Sequence, residues 1–276
     1  MPQTFTDHRR SSSARRAAVG ALGVAAFALA ALSAPTPAYA ESASPPAPTE
    51  SGGPTAASTA QGPADFGDCP SLPAGVDPAK WRCEVHTAAP EVTLGNVTMT
   101  LAPITMTHAE GPLPDGSAGQ VWGAMHSTPT PVPGGLDGTR ASGRGERAGH
   151  RPEKLFITAE YGGSSDFYTG RLSLRFKLTN PLLSRRCAIG GETPVDFQLK
   201  RSGPSEWISQ DPPIIKFSAY DDTFTAPGVS HCGPLTGLLD RRLGLPASDG
   251  NLLSYDATYT FVTYDKLPGS QTLSRS

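Results

Sequence analysis

The stretch RLSLRFKLT, Arg171–Thr179, decides the fold. Leu172, Leu174, Phe176 and Leu178 alternate with Ser173, Arg175 and Lys177. A period of two puts the apolar set on one face of an extended strand and the polar set on the other. A helix would scatter both sets around its axis.

The same alternation recurs outward from this strand. Val195, Phe197 and Leu199 alternate with Asp196, Gln198 and Lys200, and Ile215, Phe217 and Ala219 with Lys216, Ser218 and Tyr220. Tyr255, Ala257, Tyr259 and Phe261 alternate with Asp256, Thr258 and Thr260. Weaker strand patterns cover residues 81–88, 91–94, 97–101, 120–126 and 154–161, and Gly95-Asn96 reads as a two-residue hairpin turn or a bulge. Roughly eight or nine short strands punctuated by Gly and Pro predict an all-β fold, an antiparallel two-sheet sandwich or jelly roll. One short helix is expected near 234–243. Leu235, Leu238, Leu239 and Leu243 share a face, Pro234 suits its first turn, Arg241 and Arg242 its last, and Gly244 and Pro246 stop it.

The chain ends of this β region differ in composition. Arg9, Arg10, Arg15 and Arg16 precede an uncharged run from Ala17 to Ser33 and then Ala38-Tyr39-Ala40. That is the basic, apolar and small-x-small order of a secretory signal peptide, which predicts residues 1–40 as a cleaved leader. Twin-arginine and general export are both compatible with the Arg15-Arg16 pair. Residues 41–66 are small, polar and proline-rich and read as a disordered tether, leaving 67–276 as one β-sandwich domain. Residues 127–151, with four arginines among glycines, read as a long mobile loop. Residues 1–40 carry four Arg and one Asp, so their removal takes the formal charge from −2 to −5. That balance argues against nucleic acid as a partner. No later apolar run is long enough to span a membrane.

The four cysteines, Cys69, Cys83, Cys187 and Cys232, all follow the leader. An even count in an exported chain predicts disulfides, and the pairing Cys69–Cys83 with Cys187–Cys232 is expected. His231 beside Cys232 then reads as a cap or surface residue, not as the base of a reactive thiol.

Candidate site residues are few. Glu84 and His86 are two apart on an expected strand, as are His108 and Glu110 in THAEGPLPDG. Pairing of those segments would bring two imidazoles and two carboxylates onto one face, a donor set suited to a divalent metal. Without that pairing they are unrelated polar residues on a wet face. The sequence alone assigns no metal and no cofactor. Asp221-Asp222 offers paired carboxylates for glycoside cleavage, but neighbours on an extended chain point oppositely, and such a pair more often starts a turn. Tyr220 and Tyr264 lie on the polar phase of their strands and are expected to be exposed, with Tyr264 and Tyr220 as candidate sugar-stacking surfaces. No serine elbow, phosphate-cradling loop or dinucleotide fingerprint occurs.

Leader, tether and a four-cysteine β region together resemble exported proteins of GC-rich Gram-positive bacteria. The resemblance implies secretion or retention at the cell envelope and no particular activity. The reading that follows is a non-catalytic binding module for an extracellular ligand, with cell-wall glycan as a candidate. The alternative is a secreted hydrolase, metal-assisted or carboxylate-based, acting on an extracellular polymer.

Overall fold

The computed structural model describes residues 64–138 and 154–267. The expected leader, nearly all of the expected tether and the arginine-rich part of residues 127–151 lie outside the described residues.

Two antiparallel sheets form. The first has nine strands: β1 (Arg82–Ala88), β2 (Glu91–Leu94), β3 (Val97–Thr100), β4 (Ile104–Pro112), β5 (Ala118–His126), β11 (Lys200–Arg201), β12 (Glu206–Gln210), β13 (Pro213–Asp221) and β15 (Leu252–Thr263). Its main path runs β11-β13-β15-β1-β4-β5. The second has six: β6 (Thr130–Pro131), β7 (Phe156–Asp166), β8 (Arg171–Thr179), β9 (Ala188–Ile189), β10 (Val195–Gln198) and β14 (Val229–Ser230), with β8 at its centre. Gly95-Asn96 is the hairpin turn between β2 and β3, where Leu94 faces Val97, and Gly95 takes the left-handed conformation (φ 57°) such a turn needs.

The alternation in β8 holds. Leu172, Leu174, Phe176 and Leu178 are buried, and they pack with Val195, Phe197 and Ile157 against Val92, Leu94 and Leu253 of the first sheet. Ser173 breaks the pattern: it is buried on the polar phase because its hydroxyl accepts from Ser164 N and donates to Ser164 O across the irregular part of β7. The helix α1 spans Thr236–Leu243 after a 3-10 turn at Gly233–Leu235, buries Leu239 and Leu243, and ends at Gly244 with φ 69°.

Both expected disulfides are present, Cys69–Cys83 and Cys187–Cys232, with no free cysteine among the described residues. Cys69 ties the N-terminal segment to the outer face of β1, and the Tyr264 hydroxyl donates to Pro70 O at 2.7 Å beside it. His231 is exposed, next to its bridged cysteine, with φ 57°. Among the described residues no helix is long and apolar enough to cross a membrane.

The three tryptophans differ sharply. Trp207 is 50% exposed on β12, Trp122 stacks on Tyr161 with centroids 3.8 Å apart, and Trp81 is wholly buried. Trp81 donates its indole N–H to Pro112 O at 2.8 Å and fills a slot that two glycines of the β4–β5 hairpin leave open. A Cβ on Gly111 would lie 2.6 Å from the indole ring. Gly111→Ala is therefore expected to lower stability by about 1–3 kcal/mol through overpacking. Urea denaturation checks this, and a neutral Gly111→Ala would show that the slot has room to spare.

Candidate functional site

Two adjacent strands build the site. On β1, Arg82, Glu84 and His86 alternate onto one face. That face is the inner one, because Glu84 sits opposite Phe261, His86 opposite Tyr259 and Ala88 opposite Ala257 of β15, whose Leu253 belongs to the core between the sheets. On its other side β1 pairs with β4 in a register that sets Arg82 across from Glu110 and Glu84 across from His108. Five polar side chains thus converge at one end of the inner face. The sequence placed no strand at residues 104–112, so their meeting depended on a pairing that only the structure supplies.

The cluster is buried. Glu84 is 4% exposed, His86 8%, Glu110 8% and His108 1%. Glu84 Oε2 lies 3.1 Å from His86 Nε2 and 3.7 Å from His108 Nε2. Glu110 Oε2 lies 3.8 Å from His108 Nε2. Arg82 Nε donates to Glu110 Oε1 at 2.9 Å, and Nη2 donates to the same oxygen. Arg82 Nε is also 2.5 Å from Glu84 Oε1, but off the N–H direction, so that oxygen is held by charge and makes no hydrogen bond. Neither ring nitrogen of His108 has a hydrogen-bond partner among the described residues.

Aromatic rings fix the imidazoles. Phe167, in the turn between β7 and β8, stacks on His108 with centroids 4.0 Å apart and planes 9° apart. Tyr259 stacks on His86 at 4.9 Å. Phe261 lies under the Arg82 guanidinium at 5.1 Å. Beyond this floor a cavity of about 410 Å³ opens between the sheets, walled by Phe167, Tyr168, Phe217, Tyr255 and Tyr259 and rimmed by Arg171 and Arg201. A smaller cavity of about 280 Å³ lies on the far side of Phe167, against His108, Trp122 and Tyr161.

Burial and charge divide the titrations. Burial, reinforced by the neighbouring Glu110 carboxylate, pushes the Glu84 carboxyl well above the usual range. Burial works the same way on Glu110, but the Arg82 guanidinium, by its charge and its hydrogen bonds, outweighs it and holds that carboxyl low. Burial lowers His86 to about 4 and lowers His108 as well, so both rings favour the neutral form that binds metals.

The other sequence candidates lie elsewhere. Asp221 is buried, accepting from Gln198 N at 2.7 Å and from Thr223 N at 2.8 Å, while Asp222 points out to Lys200. The two carboxylates diverge, as neighbours on a strand should. Tyr220 and Tyr264 were expected to be exposed and are not. Tyr220 is half-buried with Lys200 Nζ over its ring at 5.7 Å, and Tyr264 is half-buried in a 3-10 turn with its hydroxyl bonded to Pro70. Packing of the N-terminal segment over the outer face is what covers Tyr264. None of Tyr220, Asp221 and Tyr264 lines the larger cavity.

Two members of the site escaped the sequence reading. Arg82 was legible in principle, two residues before Glu84 on the same strand phase. Phe167 was not, since nothing in DFYTG marks a turn residue that reaches across to another sheet.

Three side chains offer donor atoms close enough together to hold one metal ion: Glu84, His86 and His108, within 4.8 Å of one another. Comparison with known proteins finds no matching family model, no similar curated protein and no similar solved structure. The site is therefore read from its own chemistry.

A raised Glu84 pKa has a sign that can be tested. The protonated form is preferred on folding, so Glu84 adds nothing below its unfolded value of 4.5 and costs stability as pH rises through its folded value near 7. Glu84→Gln mimics the protonated acid. In chelator-treated protein, Glu84→Gln is expected to gain on the parent by about 1–3 kcal/mol between pH 4.5 and pH 8. Urea midpoints across that range check it; a difference that does not change with pH would contradict the assignment.

Proposed function

We propose that the protein is an exported binding module that takes a small ligand, or one terminal unit of a cell-wall glycan, into the cavity between its sheets. One observation carries the reading: a concave, aromatic-walled space of about 410 Å³ ends on a floor of Arg82, Glu84, His86 and Glu110, in which Glu84 Oε1 is buried and makes no hydrogen bond. Ligand sites combine those two features, apolar walls for affinity and a few fixed polar groups for orientation. The volume suits a monosaccharide-sized or small aromatic body, and the aromatic wall, Tyr259 and Phe217 included, suits packing against either. The two disulfides fit an oxidising compartment outside the cell.

The arginines at the rim favour a ligand bearing negative charge. Arg201 lies with its guanidinium 4.2 Å over the Phe217 ring, which holds the charge at the mouth. Soluble peptidoglycan fragments and acidic sugars are thus the first ligands to try. Calorimetry and saturation-transfer NMR against that set should find a saturable ligand whose affinity falls about five- to tenfold in Tyr259→Ala or Phe217→Ala. Binding that survives both substitutions, or no binding across the set, would remove the cavity as the site.

A further inference from the structure

We propose that Glu84, His86 and His108 form a mononuclear site for a divalent transition metal of the zinc class, with the neighbouring Glu110 available by side-chain rotation as a fourth ligand and second oxygen donor. The inference stands on the floor residues alone and does not depend on an organic ligand in the cavity.

The donor spacing fits a metal. Ligand bonds of about 2.0–2.1 Å in a tetrahedral arrangement place donor atoms roughly 3.3 Å apart. Glu84 Oε2 is 3.1 Å from His86 Nε2 and 3.7 Å from His108 Nε2, and the three donor atoms all lie within 4.8 Å of one another, a spacing that side-chain adjustment about one ion can close. Glu110 Oε2 lies 3.8 Å from His108 Nε2, outside the set of three mutually close donors, and would have to swing in to complete the four. Two imidazole nitrogens with carboxylate oxygen select zinc, copper(II), nickel or iron(II) over calcium and magnesium, which favour all-oxygen sites. Thiolate competition does not arise, because all four cysteines are bridged.

An independent observation points to the same occupant. His108 is 1% exposed, and both its ring nitrogens lack a hydrogen-bond partner among the described residues. Buried polar atoms left without a partner are rare and costly, and a bound ion would satisfy Nε2 directly. The surroundings are built to present that atom. Phe167 clamps the His108 ring, and Tyr259 clamps His86. Arg82 engages one oxygen of each carboxylate, Oε1 in both cases, leaving each Oε2 turned to the imidazoles. This is the outer-shell orientation that metal-binding carboxylates receive in general. With both carboxylates ionised, Arg82, Glu84 and Glu110 sum to one negative charge, which a divalent ion reverses to one positive. The metallated site would then complement an anion at the cavity mouth.

The test uses full-length protein free of any affinity tag, stripped with chelator and titrated with zinc and then with cobalt(II) as a spectroscopic substitute. Expected are one zinc per chain, a dissociation constant below about 1 µM, and cobalt absorption bands of a tetrahedral or five-coordinate nitrogen–oxygen site. Imidazole resonances of His86 and His108 should shift at one equivalent, with those of the exposed His126 and His231 unmoved. His86→Gln should weaken zinc at least tenfold, while His126→Gln leaves affinity unchanged. Should His86→Gln fail to fold, the resonance shifts in the parent protein decide the matter. No saturable zinc, or zinc whose resonance shifts fall on His126 or His231, overturns the proposal. A protein that binds zinc but no sugar or acidic fragment leaves the metal site standing and defeats the cavity reading instead.

Discussion

The antiparallel pairing of β1 with β4 is the constraint on which the site rests. It sets Glu84 across from His108 and Arg82 across from Glu110, on the face where β15 presents Tyr259 and Phe261. Side chains on a strand change face with every residue, so a slip of one position would turn the acids and imidazoles outward and bring Val85 and Cys83 inward. The register is held from outside the site. Cys83 is bridged to Cys69, and Trp81 is seated between the glycines that follow Glu110 on the β4–β5 hairpin. Covalent and steric anchors on the outer face thereby fix the chemistry on the inner one.

The sandwich is closed differently at its two ends. Where β2, β3 and β15 face β8 and β10, the space is filled by Leu, Val and Phe side chains in one continuous core. Toward β1 and β4 the same inner face carries charge, and the β7–β8 turn lays Phe167 over it with Tyr168 beside. A partly satisfied buried polar group is less stable than an apolar one of the same volume. The fold holds this end open and polar although an apolar plug would stabilise it, which is the arrangement expected where function and not stability sets the residue type.

How much of this the sequence disclosed follows from which faces are covered. β8, β13 and β15 each have one face toward the core and one toward water, and their alternation is plain in the residues. β4 has no face toward water over Thr107, His108, Ala109 and Glu110, all four of which are buried, with Phe167 stacked on His108. With both faces covered and half the residues polar, ITMTHAEGP carries no periodic signal, so the strand that completes the site went unread. The i, i+2 spacing of Glu84 with His86 and of His108 with Glu110 is visible in the sequence, but only the β1–β4 pairing brings the four side chains together. The helix was read to within two residues because leucine spacing, a proline and a glycine all agreed. Tyr220 and Tyr264 were misjudged because strand phase says which side a residue faces and not what lies there.

The slot that seats Trp81 has a practical sequel. With one indole sealed and hydrogen-bonded under the β4–β5 hairpin, one stacked on Tyr161 beside His108's cavity and one standing in solvent on β12, the chain carries three optical probes in three separate surroundings. Quenching by a dissolved halide reaches the β12 indole first, so the remaining emission divides between the outer anchor and the neighbourhood of the histidines. Loosening of the N-terminal staple and events at the imidazoles thereby become distinguishable by light alone, without any label being added.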